Sequence, residues 1–462
     1  MAVKVVVRRW DRRKYRLMVR PVCVTARRAD YLLDLCRIVA ILAVLSLPVS
    51  AQGQLFGHRN KGAKDATSAG PTKPEIPASQ APAFSIPVEP LGFFAPGAIY
   101  QGQRESMVSL DFLDEDHLLF TFHAPGLIHR EGKAADHERQ IRAVVLALPT
   151  GAVTAEALWT LHDRGRYLWM LKDGHFLLRD QNDLKVGDAS LELKPALHFL
   201  GPLLWVEMDP TQQLMVAESQ EADGAKPQAG DVQSPAAASA GISTDDETSS
   251  TRPGIVLRIL RRPSGQVMLL SRTRMTVHLP INSEGFVETL RGKGREWILN
   301  LNYFTGGNRI IGRLDSMCAP SVEFVSASEV LVTTCNPDGG RWMVAMTTDG
   351  KRLWNAAKPS TQIWPRLIMA PNGLRVARET LLATHDVNTL APLSFDDLRG
   401  QQIEVYNATT GRVELTAPAS PILDGGGNVA ISPTARRVAV LDAGAIKLYE
   451  LPEATPDRTA AH

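Results

Sequence analysis

The tightest constraint in this chain is a pair of short hairpins that recurs without any helix between them. The clearest instance is the C-terminal stretch 401 to 450, which reads strand, tight turn, strand, loop, strand, tight turn, strand, strand. Ile403 and Val405 alternate with polar neighbours, as a half-buried strand requires. Thr410-Gly411 closes one turn, where glycine accepts positive φ, and Ser432-Pro433 opens the next.

Upstream, two kinds of hairpin alternate. The first kind turns near Asp114, Asp173, Pro210, Gly292, Ala327, Asn372 and Thr434, at intervals of 59, 37, 82, 35, 45 and 62 residues. VSLDFLDEDHLLFTF (108 to 122) and SVEFVSASEVLVTTC (321 to 335) are typical: an apolar strand, a polar turn, an apolar strand. The second kind turns on Gly151, Gly265, Gly350 and Gly411, each preceded by Thr, Ser or Asp, with weaker turns at Val186-Gly187-Asp188 and Gly306-Gly307-Asn308. The short intervals match a four-stranded unit of about 40 residues. The long ones hold insertions at His123 to Arg139, Ser219 to Pro253 and Thr380 to Gly400; the second, rich in Ala, Ser, Gly, Asp and Glu, reads as disordered.

No helical period of 10 to 15 residues separates the strands, which excludes an α/β crossover pattern. Small sheets with two apolar faces bury both by packing radially, and this leaves only short edges. The expected fold is therefore all-β, a seven-bladed β-propeller, with two stacked sandwiches as the competing architecture. After Tyr449 the last sheet lacks a fourth strand, and the segment Pro96 to Gln103 is the expected N-terminal donor that closes it. Trp159, Trp169, Trp205, Trp297, Trp342 and Trp354 all fall on strands, where each buried ring would contribute roughly 2–3 kcal/mol.

The turns MTTDGKRLWNAA (346 to 357) and LPTGAVTAEALWTL (148 to 161) resemble the repeats of quinoprotein-like (PQQ-repeat) propellers. Pro371-Asn372-Gly373 and the Ser-Pro-Thr-Ala-Arg-Arg run at 432 to 437 resemble WD40-like or YVTN-type propellers. The resemblance covers about 96 to 452 and implies architecture. Between 96 and 452 the WD40 signature does not repeat: one Gly-His pair occurs, Gly174-His175, and no Trp-Asp pair, and Gly265 and Gly411 are not followed by a tryptophan.

The formal net charge of +2 over 462 residues is uneven. Residues 1 to 51 hold eleven basic and three acidic residues; removing them leaves 40 basic against 46 acidic, a net of −6. A mildly acidic remainder argues against nucleic acid as a partner. The basic N-terminus runs into twelve mostly apolar residues, Ile38 to Val49, too short for the roughly 20 that span a bilayer and suited to a signal h-region. Val49-Ser50-Ala51 supplies small residues for cleavage before Gln52, Met18 is an alternative start, and no stable membrane span is expected after cleavage. Residues 52–95, with Pro71, Pro74, Pro77, Pro82, Pro87 and Pro90, read as a spacer, and 453–462 as a tail. Cys23 and Cys36 leave with the signal. Cys318 and Cys335 flank a hairpin turning near Ala327, within bridging reach, and a disulfide is expected in a periplasmic or secreted setting.

Chemistry is sparse. His123, His129 and His137, with Asp136 and Glu138, share one loop, but their spacing matches no metal-ligand pattern, and a solvated loop is the simpler reading. A propeller hydrolase or lactonase would place acids around the axis; Asp111, Glu207 and Glu323 lie on first-type strands. No adjacent cysteine pair exists to clamp a quinone, and no G-x-S-x-G elbow is present. Gly425-Gly426-Gly427 lacks a following Lys-Ser/Thr and reads as a flexible connection. Asn407-Ala408-Thr409 is a sequon by pattern alone, and Arg261-Arg262 reads as a solvated strand end. The expectation is an exported, non-enzymatic scaffold for a protein or small ligand, without a cofactor. The alternative is a propeller enzyme with metal or quinone at its central channel.

Overall fold

In a computed structural model, the described residues are 80–95, 107–124, 138–162, 166–221, 254–336, 339–387 and 394–454. They form seven antiparallel sheets joined by turns and three short 3-10 segments. Blade 1 is β2 (Ser109–Phe112), β3 (His117–His123), β4 (Arg139–Ala147) and β5 (Ala152–Leu161). Blade 2 is β6 (Leu168–Met170), β7 (Phe176–Asp180), β8 (Asp183–Gly187) and β9 (Lys194–His198). Blade 3 is β10 (Leu203–Met208), β11 (Leu214–Glu221), β12 (Gly254–Arg261) and β13 (Gln266–Thr273). Blade 4 pairs β14 (Gly285–Arg291), β15 (Glu296–Tyr303) and β16 (Asn308–Asp315). Blade 5 is β17 (Ser321–Phe324), β18 (Glu329–Cys335), β19 (Arg341–Thr347) and β20 (Arg352–Lys358). Blade 6 is β21 (Gln362–Met369), β22 (Arg375–Ala383), β23 (Leu398–Asn407) and β24 (Val413–Ala419).

Blade 7 mixes the two ends of the chain. Its order is β1 (Phe84–Pro87), β27 (Ala445–Glu450), β26 (Arg437–Asp442) and β25 (Val429–Ile431). The outer strand therefore comes from 84–87, inside the stretch read as spacer, because Phe84 and Ile86 alternate with small or polar neighbours and pair with Leu448 and Ile446. The expected donor, 96–103, lies outside the described residues. Downstream of β1, Val88, Leu91 and Phe93 are buried between blades 7 and 1, and the Phe93 ring meets Phe120 and Phe122 edge-on at 5.3 and 5.4 Å. Prolines hid this segment from a hydrophobicity reading.

Blade 4 corrects another assignment. Gly292 lies between β14 and β15, so its turn is the second of the blade. The first turn is at Asn282–Gly285, where Asn282 N–H donates to Gly285 O at 2.9 Å and Ile281 bridges Phe286. The innermost strand of blade 4 is thus the irregular run 277–281. Moving the turn evens the two intervals that Gly292 had made 82 and 35 residues. The insertions also narrow: β11 continues through Ser219–Glu221, and β22 and β23 reach Ala383 and Leu398. The remainder of the second insertion, the segments 1–51 and 52–79, and the tail beyond Ala454 lie outside the described residues.

Each sheet has two apolar faces, and seven buried clusters fill the seven gaps between consecutive blades. The cluster between blades 7 and 1 joins Ile446 and Leu448 to Leu110 and Phe120, so the series returns on itself. The chain is a seven-bladed β-propeller. The second-type glycines are where blades dock. Gly411 has φ +70°, and a Cβ there would lie 2.5 Å from the Trp354 ring of blade 5. Trp354 stacks on Tyr406 with ring planes 7° apart and donates Nε1–H to Ala408 O at 2.6 Å. Gly151 meets Ile86 of blade 7 in the same way, and Gly350 faces Ile311 O of blade 4. Glycine at these turns serves the backbone and the incoming blade together. On the hairpin-turn face, neighbouring blades also bond directly: Thr434 N–H to Glu115 at 2.7 Å, Gln212 Nε2 to Met170 O at 3.0 Å, and Asn282 Nδ2 to Ala327 O at 2.8 Å. Cys318, ahead of β17, is bonded to Cys335 at the end of β18, with Cα atoms 5.5 Å apart.

Replacing Phe93 with Ala should lower unfolding stability by about 3–5 kcal/mol in chemical denaturation, although the residue lies outside every sheet. Gly411→Ala should cost about 1–3 kcal/mol more than Gly444→Ala. Both glycines have positive φ, but only Gly411 has a side chain against it, so the difference isolates blade docking.

Candidate functional site

Six innermost strands each bring one charged side chain to the axis. Asp111, Glu207 and Glu323 belong to blades 1, 3 and 5, and each is the penultimate residue of its strand. Arg166, His278 and Arg366 belong to blades 2, 4 and 6: Arg166 lies two residues before β6, His278 in the irregular run 277–281, and Arg366 is the fifth of the eight residues of β21. The sign alternates around the ring. Seven is odd, so strict alternation must fail once. It fails at blade 7, whose inner strand Val429–Ile431 is apolar and buried.

Strand alternation explains why these positions face inward. Leu110 and Phe112 flank Asp111 and pack into the interface with blade 7. Val322 and Phe324 flank Glu323 and pack against blade 4. The residue between two interface anchors must point the other way. On β10 the same parity places Trp205 beside Glu207, and Trp205 is 42% exposed while Trp159 and Trp169 are buried. Its Nε1–H donates to Glu207 Oε2 at 3.3 Å, and its ring meets His278 edge-on at 5.9 Å. The expectation that every strand tryptophan packs the core therefore fails at Trp205.

The charges act on one another. His278 Nε2 lies 3.2 Å from Glu207 Oε2. Burial works against the His278 imidazolium, but Glu207, Glu323 and Glu218 outweigh it and raise its pKa. Burial pushes Glu323 up to about 7, with Glu207 adding to the rise and His278, Arg166 and Arg366 opposing it. Asp111 is raised by burial, against Arg366, the Ser109 hydroxyl at 2.5 Å and Arg166. Arg166 is lowered to about 9, by burial first and by Arg366 second, which still leaves it protonated at neutral pH. Its guanidinium stands 5.1 Å from the Trp169 ring centre, and its Nε–H donates to Leu168 O at 3.3 Å.

Glycines 425 to 427 are not a flexible connection. Glu379, fully buried on β22, accepts from Gly427 N–H at 2.8 Å and Asn428 N–H at 3.0 Å. A Cβ at Gly426 would fall 1.8 Å from Glu379 Oε2 and one at Gly427 2.2 Å from Val108 O. The loop closes on a carboxylate, and its glycines allow that approach. Arg262 is also not a solvated strand end, because its Nη1 donates to Gln212 O at 3.0 Å; Arg261 is exposed as expected. Asn407 Oδ1 accepts from Thr410 N–H at 3.0 Å, giving the sequon asparagine a turn-forming role.

Asp111, Glu207 and Glu323 are thus brought to one axis as the enzyme alternative required, but cations stand between them. Among the described residues no group of three or more His, Cys, Asp or Glu is placed to share a metal ion. His123 ends β3 and Glu138 lies 3.6 Å from His162 Nε2; His129, Asp136 and His137, like Ala51 and Gln52, lie outside the described residues. Sequence reasoning missed Arg166, His278 and Arg366. His278 was hidden by the misplaced blade 4 turn, and the arginines by their resemblance to solvated strand ends.

No protein-family model and no curated sequence matches the chain. Among solved structures, the C-terminal WD40 domain of Sif2 aligns at 10% identity with a TM-score of 0.41, covering 82% of this chain and 100% of that one. The Pyrococcus horikoshii acylaminoacyl peptidase aligns at 8% identity and 0.43, over 80% of this chain and 55% of its own. The propeller domain of the Trilobed protease from Pyrococcus furiosus aligns at 9% and 0.39, over 76% and 96%. These are likenesses of fold, and the blade count rests on the strand pairing above. Among the described residues no helix is long and apolar enough to cross a membrane.

A carboxyl whose folded pKa is raised binds its proton longer than the unfolded chain does, so stability falls as pH rises from about 4.5 through about 7. Glu323→Gln removes that penalty. The variant should be about 1–3 kcal/mol more stable than wild type at pH 8 and equal to it near pH 4.5, read by denaturation at both pH values.

Proposed function

We propose that this protein is an exported binding scaffold that engages its ligand or partner at the axial channel. The observation that carries the reading is the exposed Trp205 standing among six charged side chains of alternating sign. Holding like-charged arginines near each other and a large indole in water costs stability. Such an arrangement is retained where something binds. The rival enzyme reading needs acids free to take a metal; of the three, Glu207 is held by His278 at 3.2 Å, and arginines act electrostatically on the other two.

Export is supported from the opposite end of the chain. A basic run, the apolar segment Ile38 to Val49 and small residues before Gln52 fit a cleaved signal, and a Cys318–Cys335 bond suits an oxidising compartment. The periplasm or the exterior of the cell is the proposed location.

The test expresses the full tagged chain in a secreting host. The exported form should begin at Gln52 and show no alkylatable thiol before reduction. Photo-crosslinking from a probe at position 205 should then capture a defined partner, and Glu207→Gln should weaken that capture while the remote Arg309→Gln leaves it intact. Retention in the cytoplasm would refute export. Capture insensitive to Glu207 would refute the channel as the contact site.

A further inference from the structure

We propose that the cleft between blades 3 and 4 on the hairpin-turn face is a second binding site, which takes a small organic carboxylate with its anionic end on Arg261 and Arg262 and its hydrocarbon end against Leu214 and Met268. None of these residues belongs to the axial set, so the inference goes beyond the scaffold reading and does not depend on it.

The cleft has a volume of about 310 Å³, at the small end of the range for ligand pockets, roughly 300–1,000 Å³. Its walls come from three turns that the fold brings together. Gln213 and Leu214 end the β10–β11 turn, Arg261 and Arg262 open the β12–β13 turn, and Ser283 lies in the first turn of blade 4. Met268 completes the lining from β13. The pairing of β12 with β13 shifts register here, with Ile259 opposite Leu269 and Leu260 opposite Val267. Met268 is the extra residue of that bulge, and a bulge re-aims the side chain it adds. Met268 is accordingly 37% exposed, while Val267 and Leu269 pack into the interfaces on either side of the blade.

The polar residues of the lining carry donors without partners. Arg261 is exposed, and neither its guanidinium nor the side chains of Gln213 and Ser283 bond to any described residue. Arg262 is fixed through one nitrogen: Nη1 donates to Gln212 O at 3.0 Å, which leaves Nε and Nη2 without a described acceptor. Its backbone N–H donates to Gln213 O at 2.8 Å, so the turn that carries both arginines is tied to the turn beside it. Burial lowers the Arg262 pKa, and Asp209 and Asp173 oppose that. Neither acid lines the cleft, and Asp209 is taken up by the amides of Thr211 and Leu214 at 2.9 and 2.6 Å. Glu284 follows Ser283 in the chain but is not part of the wall either. Among the described residues the lining thus holds two guanidiniums, an amide and a hydroxyl, and no carboxylate. Guanidinium forks of this kind pair with a carboxylate brought by a ligand. The buried Leu214 and the open Met268 add an apolar wall, which a ligand with a hydrocarbon body would cover.

Calorimetry on the full chain at low ionic strength tests this with three probes: hexanoate, its neutral amide hexanamide, and acetate. Hexanoate should bind about tenfold or more tightly than hexanamide, since a charge-assisted pair contributes more than a neutral one. It should also bind about tenfold or more tightly than acetate, which lacks the chain that covers the apolar wall. Arg261 makes no described side-chain bond, so Arg261→Gln spares the fold; it should weaken hexanoate about tenfold and leave hexanamide unchanged. Arg262→Lys, which keeps the charge and loses the fork, should weaken hexanoate as well. Met268→Ser should weaken hexanoate and leave acetate unchanged, and the exposed Arg309→Gln on blade 4 should change neither. Equal affinity for hexanoate and hexanamide overturns the proposal. So does hexanoate binding that Arg261→Gln leaves undiminished, or that is absent at millimolar concentration. A loss in Arg309→Gln equal to that in Arg261→Gln would mean that overall charge alone attracts the anion, and overturns the site too.

Discussion

The structure depends on hiding two apolar faces per sheet. A single four-stranded sheet of this size cannot do so alone, and stacking two sheets covers only one face of each. Seven sheets around an axis cover every face with a neighbour, provided the last gap is filled as well as the other six. Here that gap is filled by Ile86, Val88, Leu91 and Phe93, from a segment that precedes the first blade in sequence. Blade 7 takes its outer strand from that same segment, so opening the ring would expose both a strand edge and an aromatic cluster.

Radial packing then dictates what the axis can hold. Successive residues on an inner strand face opposite ways, so a strand that anchors one interface through two apolar residues presents the residue between them elsewhere. Asp111 and Glu323 follow from that rule. Charges placed at the axis must neutralise one another or stay wet. Alternation of sign does the first, and the solvent-reached channel permits the second. The cost is visible in Glu323 and Arg166, both displaced toward their neutral forms by the surroundings. Buried charge elsewhere is handled differently: Arg375 is met directly by Glu414 at 2.6 Å and by two backbone carbonyls.

The glycine turns join these two scales. Gly151, Gly350 and Gly411 hold the backbone in a conformation that a side chain would strain, and the bare Cα lets the preceding blade approach. The incoming group varies: Trp354 at one junction, Ile86 at another, a backbone carbonyl at a third. Gly411 needs no tryptophan after it, because the tryptophan that covers it comes from blade 5.

Much of this was legible in the chain. Strand alternation and paired turns are local signals, and they determined an all-β ring of seven units and the positions of most hairpins. The acids at 111, 207 and 323 were visible for the same reason, as single charges inside apolar strands. Three things were decided only by tertiary structure. The closing strand lies among prolines, where local hydrophobicity is low and only pairing with Leu448 and Ile446 gives it order. The inner strand of blade 4 makes a single bridge and has little period to read, which concealed His278. Arg166 and Arg366, 200 positions apart, come to act on the same two carboxyls, Asp111 and Glu323, through ring closure. No pattern along the sequence encodes that proximity, since the axis exists only once all seven blades have packed.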